Sequence, residues 1–222
     1  MKLDIMRMGV KSSDLVINNE WLTKHAPGKH DQKNHAGNRG KGVSAEYTAN
    51  LPEDKKQVLR DYIANPSVND VLRNPEAFDA TRYDPEWEKA KQMDRIFSEA
   101  PKLEESVTVY RAVSTDFASR VRRETAGASD EDEFEYPDLG FTSTTLSRGV
   151  AANPIFSAGE KSEIIQIEIP KGERVLFLEP LRSAMFPLNY NEDEVLLRRN
   201  GILFFNAEKT DSSGILTFEY GR

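Results

Sequence analysis

Cysteine is absent from all 222 residues. That excludes a disulfide framework, a thiolate nucleophile and any Cys-ligated metal, and leaves the redox compartment open. Histidine is nearly absent: His25, His30 and His35 are the three, all in one polar stretch. No apolar run approaches the ~18 to 20 residues that span a bilayer. The first ten residues, broken by Asp4 and Arg7, lack the apolar core of a signal peptide. Cytoplasmic synthesis without Sec export is therefore expected, with no membrane partner. A strong basic excess is also lacking. The net charge is −7, with eight Lys or Arg against four Asp or Glu in residues 1–43 and 22 against 33 in the remainder. An acidic body behind a mildly basic arm is a poor general nucleic-acid binder, and the arm has no aromatic interleaving.

The chain is 38% hydrophobic and 30% charged, sized for one core and an appended segment. Residues 1–22 hold scattered apolar positions, densest at Leu15–Ile17 and Trp21–Leu22. Gly, Pro, Asn and charge dominate residues 24–43, which read as a flexible linker. Residues 1–43 are thus an arm and 44–222 one domain. A His spacing of five suits neither a helix face nor a strand face. With no Cys or carboxylate cluster beside it, a solvated linker outweighs a metal site or proton switch, and no metal is expected. The string Gly28-Lys-His-Asp-Gln-Lys-Asn-His35 resembles a linker in head-associated proteins of bacteriophages, a pointer to viral origin and virion association.

From Ser44 the apolar period is helical. Leu51, Val58, Leu59, Tyr62 and Ile63 share a stripe, closed by Asn65-Pro66; Val68–Leu72 predicts a short second helix; Trp87, Ala90, Met93, Ile96 and Phe97 stripe a third over 85–99. After Pro101 the period becomes that of strands: 107–110, 140–145, 164–169, 174–178, 194–198, 202–207 and 214–220, with a helix over 115–124. Residues 146–162 read as a loop with one helical turn, and Gly201 and Ser212-Ser213-Gly214 as hairpin turns. Helices followed by strands make an α+β domain.

Phe186-Pro-Leu-Asn-Tyr-Asn-Glu-Asp-Glu-Val-Leu-Leu197 begins as a turn and ends as a strand. Glu192 and Glu194, two apart, fall on one side of an extended chain. Carboxylates held so close repel, so at least one pKa rises unless a cation intervenes. Alone, the pair reads more readily as a solvated acidic turn before an edge strand. Upstream stand Tyr110-Arg111 at a strand end and Phe141-Thr-Ser-Thr-Thr145 on a second strand.

In this order the three motifs resemble the arginine-serine-glutamate class of ADP-ribosyltransferases, bacterial exoenzyme toxins among them. That class has an aromatic-Arg pair, Ser-Thr-Ser, then Glu-x-Glu after a turn. Thr145 stands at the third Ser-Thr-Ser position and keeps the hydroxyl. Asn189 stands where the class often has an aromatic, with Tyr190 beside it. The resemblance covers about residues 105–220 and implies N-terminal helices packed on a core of two facing β-sheets. It also implies transfer of ADP-ribose from NAD, as co-substrate, to an arginine of a host protein target, with release of nicotinamide. Glu194 is then the carboxylate that stabilises the ribosyl cation, and Glu192, with Tyr190, faces the acceptor. A Gln at the first position accompanies other acceptors in related enzymes, so Glu192 points to arginine. Arg111 reaches the pyrophosphate, the Ala112 backbone meets the nicotinamide amide, and Ser143 fixes Glu194, with Thr144 and Thr145 beside it. Phe156 stacks on nicotinamide and Arg148 adds a phosphate contact. An NAD glycohydrolase and an idle head-associated protein on the same scaffold are the competing readings.

Overall fold

The computed structural model of the chain describes residues 38–77, 84–127, 132–153, 162–186, 192–210 and 215–221. The arm histidines, Phe156, Asn189 and Tyr190 lie outside the described residues. The described part is α+β. Helices α1 (Asn38–Ala49), α2 (Glu53–Ala64), α3 (Val68–Arg73) and α4 (Asp84–Glu99) precede β1 (Val107–Ser114). Then come α5 (Thr115–Glu124), β2 (Glu135–Asp138), β3 (Thr142–Thr145), α6 (Arg148–Ala151) and β4 (Ser162–Ile169). The chain closes with β5 (Leu176–Phe177), α7 (Glu179–Met185), β6 (Glu194–Leu197), β7 (Gly201–Phe205) and β8 (Leu216–Gly221).

The strands form one hydrogen-bonded path in the order β2-β7-β8-β4-β1-β3-β6-β5. Among the described strands only β4 and β8 pair in parallel; the other pairs are antiparallel. The two faces expected from sequence are the two halves of this path. They join at β1 and β3 through the single pair Tyr110↔Thr145, whereas β1 and β4 pair along their whole length. Val109, Ile165, Ile167 and Phe218 from the larger half meet Phe177, Val195 and Leu197 from the smaller half in one buried cluster. Leu196, between two of those residues in sequence, points the other way, as the period of two requires, and joins a second cluster under the helices. There the Phe97 and Phe141 rings stack at 5.8 Å and Tyr62 meets Phe141 edge-on at 6.1 Å.

Three local structures depart from the sequence expectation. Helix α1 begins at Asn38, inside the stretch read as linker. Its Ser44 and Thr48 are buried, and the Ser44 hydroxyl donates to the Val175 carbonyl at 2.8 Å, so docking overrides weak local signals. Strand β2 was not among the strands expected from sequence; its Pro137 is tolerated because β2 is the edge strand. Between β6 and β7 it is Asn200, with φ of 58°, that takes the left-handed turn conformation, not Gly201. Gly201 is required for a different reason: a Cβ there would lie 2.3 Å from the Tyr220 ring.

Helix α3 holds the start of β3. Asn69 donates to the Phe141 carbonyl at 3.0 Å and accepts from the Phe141 N–H at 2.7 Å. The Asn69 side chain approaches this closely because residue 140 is glycine; a Cβ there would meet Asn69 Oδ1 at 2.8 Å. Asn69→Ala is expected to cost about 1–3 kcal/mol, since it strands the buried Phe141 N–H and leaves the Phe141 carbonyl only the longer 3.3 Å bond from Arg73 Nη2. Lys91→Ala, which breaks the exposed 3.6 Å pair with Glu88, should stay within about 0.5 kcal/mol. Urea midpoints of both variants check this; equal midpoints would contradict the role given to Asn69.

Candidate active site

Register brings the three sequence motifs together. Tyr110 pairs with Thr145, and Thr145 with Glu194, so β1, β3 and β6 meet in one row. A small cleft opens on this row. Its wall includes Arg111, Ala112, Ser143, Thr144, Thr145, Glu192 and Glu194, with Val150 and Ala151 of α6. A larger cleft of about 740 Å³ shares Arg111 and Ala112 with it and adds Arg73, Arg120, Phe117 and Tyr136. Arg111 thus stands between the two clefts.

Glu194 opens β6 and is buried. Glu192 precedes it by a turn in which Asp193 adopts a φ of 44°. The pair is therefore not held by an extended strand, as the spacing of two suggested. Its backbone is fixed by neighbours instead. Thr145 Oγ1 donates to the Glu192 carbonyl at 2.6 Å, the Leu146 N–H donates to the Asp193 carbonyl at 3.2 Å, and the Leu178 N–H donates to the Glu194 carbonyl at 3.0 Å.

A cation does intervene between the carboxylates. Arg182 of α7 donates from Nη1 to Glu194 Oε2 at 2.9 Å and from Nη2 to Glu192 Oε1. One guanidinium neutralises one carboxylate, and the second keeps its proton more readily. Glu192 is that second group: burial above all, helped by the Glu194 charge and opposed by Arg182, pushes its carboxyl up to about 7. Tyr62 of α2 reports the same field. Burial first and the Glu194 charge second push its hydroxyl up to about 12. Ser143 was expected against Glu194; its Oγ lies 3.4 Å from Tyr62 Oη, and Arg182 takes the Glu194 carboxylate. Thr144 donates to the Val195 carbonyl at 2.7 Å. Arg148 is exposed in α6 and lines neither cleft.

Asp138 is the opposite case, one carboxylate shared by two guanidiniums. Arg73 reaches it in a fork, Nε to Oδ1 at 2.8 Å and Nη2 to Oδ2 at 2.9 Å, and Arg111 Nη1 reaches Oδ2 at 3.1 Å. Thr142 Oγ1 and the Gly140 N–H add donors at 2.8 and 3.0 Å. Burial works against the charged form, but the Arg73 hydrogen bonds and the Arg111 charge outweigh it and hold the carboxyl well below its usual range. The node aims Arg111 at the junction of the clefts. Asp138, Arg73, Tyr62 and Arg182 were not singled out from sequence. Asp138-Leu-Gly140 does carry an Asx-turn signature, an acidic residue two before glycine ahead of a strand. A lone arginine on a short helix carries no signal.

Among the described residues no group of three His, Asp or Glu is placed to hold a metal ion, and no helix is long and apolar enough to cross a membrane.

Asp138→Asn removes the shared charge. Arg73 is 35% exposed, so solvent screening reduces the loss to about 1–3 kcal/mol. A depressed carboxyl contributes stability above its unfolded pKa of ~3.9 and loses it as pH falls through the folded value. The gap in melting temperature between wild type and variant is expected to be constant from pH 7 to 5 and to narrow below pH ~4. A gap independent of pH would show that charge is not what the node uses.

The family model described as ADP-ribosyltransferase exoenzyme matches residues 38–210. No curated protein sequence matches the chain. Among solved structures, Plx2a, an ADP-ribosyltransferase toxin from Paenibacillus larvae, is 22% identical over 82% of this chain and 92% of its own, with a TM-score of 0.57. C3stau2 from S. aureus, solved with NAD, is 19% identical over 83% and 95%, with a TM-score of 0.58. BECa, an ADP-ribosylating toxin of a C. perfringens binary enterotoxin solved with NADH, is 15% identical over 83% and 47%, with a TM-score of 0.59. At these identities the solved structures establish the shared fold. The family match spans most of the chain and takes in all three motifs of the cleft, and on that ground the chain belongs to the ADP-ribosyltransferase exoenzyme family.

Proposed function

We propose that the chain moves a single ADP-ribose from NAD to an arginine of a host protein target and releases nicotinamide. One observation carries the arginine reading: the Glu192–Glu194 pair receives a guanidinium, with one nitrogen on each carboxylate. A pair with this charge and spacing is complementary to the acceptor it is proposed to serve. The nicotinamide riboside would enter the small cleft, beside the Ala112 backbone and the Ser143 hydroxyl. The pyrophosphate would meet Arg111, whose planar fork suits an oxyanion. Arg73 and Arg120 add positive charge along the larger cleft for the rest of the dinucleotide.

Breaking the ribose–nicotinamide bond leaves an oxocarbenium-like sugar. A carboxylate beside it stabilises the developing charge, and Glu194, buried at the end of the row, is placed for that role. A guanidinium with pKa above ~12 is a weak nucleophile until it yields a proton. Glu192, with its carboxyl near 7, is a base matched to neutral pH.

Glu194→Gln is expected to lower nicotinamide release by ~10² to 10³ both with and without an arginine acceptor such as agmatine, since the lost contact matters most in the transition state. Glu192→Gln should suppress incorporation into agmatine while sparing most hydrolysis. Wild-type transfer should fall below pH about 7, as Glu192 takes up its proton. Release of nicotinamide with no incorporation into agmatine at any pH would support a glycohydrolase. No release from any NAD-containing mixture would support the idle scaffold.

A further inference from the structure

Arg182 lies outside the walls of both clefts, on the short helix before the Glu-x-Glu turn, yet its side chain meets both carboxylates. The residue that caps the start of α7 also grips the neighbouring backbone. The Leu178 N–H caps the Glu194 carbonyl at 3.0 Å, and Arg182 and Ser183 sit one helical turn from the helix start. The Arg182 side chain is 17% exposed, and its guanidinium carbon lies 6.0 Å from the centre of the Phe186 ring.

We propose that Arg182 is a positioning residue that keeps Glu192 and Glu194 chemically distinct, and so sets the pH at which acceptor transfer turns on. Two buried carboxylates this close share one proton unless a cation compensates one of them. Among the described residues, the other charged or titratable groups near the pair do not compensate it. Tyr62 from α2 is neutral and carries the Glu194 field; Asp193 in the turn and Glu179 at the start of α7 are acidic. Arg111 from β1 lines the same cleft but is bound to Asp138. Arg182 is the cation that both carboxylates contact. This inference rests on the proposed transfer reaction for its kinetic arm but not for its titration arm.

The test titrates the Glu192 carboxyl in the full chain by ¹³C NMR on glutamate-labelled protein, assigned with Glu192→Gln, in wild type, Arg182→Lys and Arg182→Met. Agmatine transfer is measured across pH on the same proteins. An opposite charge within hydrogen-bond reach moves a carboxyl by about one to three units. Arg182→Met is therefore expected to raise the Glu192 midpoint, and the acid limb of transfer with it, by about one pH unit or more. Arg182→Lys, which keeps the charge, should leave both midpoints close to those of wild type. A purely structural role would lower rates at all pH and leave both midpoints in place, and that result would overturn the proposal. So would a shift equally large in Arg182→Lys, because charge would then not be the cause. If Arg182→Met does not fold, the lysine variant decides alone, with a midpoint near wild type expected and a shift of a unit overturning. If wild type releases no nicotinamide, the transfer reading fails while the titration still judges Arg182.

Discussion

The site depends on a single backbone pair. Tyr110↔Thr145 is the one register contact between β1 and β3, and through it the two halves of the strand path become one. Each half packs its inward residues into the same buried cluster, so the halves are pressed together by apolar burial while hydrogen bonding joins them at one point. That point lies beside the residues with chemical potential. Arg111 follows Tyr110, Ser143 precedes Thr145 by two, and Glu194 pairs with Thr145. A slip of one residue in either ladder would turn Glu194 or Ser143 away from the cleft. Helices α2 and α3 guard against it: Tyr62 sits beside Ser143, and Asn69 binds both backbone groups of Phe141.

Two charge clusters flank this row with reversed stoichiometry. At Asp138 two guanidiniums share one carboxylate, and the carboxyl is driven down. At Arg182 two carboxylates share one guanidinium, and one carboxyl is driven up. The first arrangement produces a fixed anion that orients Arg111 toward the cleft junction. The second leaves a group able to take and release a proton near neutral pH. Both follow from counting charges in a space with little water, and under the proposed reaction they would divide the clefts into an oxyanion end and a base end.

Much of this was legible in the chain itself. Helix α4 was readable because Trp87, Ala90, Met93, Ile96 and Phe97 repeat at helical spacing, and β4 because Ile165, Ile167 and Ile169 alternate with polar residues. Arg111, Ser143, Glu192 and Glu194 were readable as motifs, and the structure gathers them on one cleft wall. What escaped were partners supplied by tertiary contact. Arg182 and Arg73 look like ordinary helix cations until the fold puts carboxylates against them, and α1 and β2 form because neighbours accept them, not because local preference demands it. The reading of the Glu pair as an extended i, i+2 arrangement missed the left-handed Asp193, since position 193 itself holds neither glycine nor asparagine.

The central claim is that the two clefts are one dinucleotide site, hinged at Arg111 and ending at the two glutamates. A crystal structure of the full chain with an NAD analogue whose ribose–nicotinamide bond cannot break tests this most directly. The account predicts the pyrophosphate on Arg111 and the nicotinamide riboside against Ser143 and Glu194, with Arg182 still bound to Glu192. An analogue seated elsewhere, or one that leaves Arg111 wholly engaged with Asp138 and the small cleft empty, would contradict it.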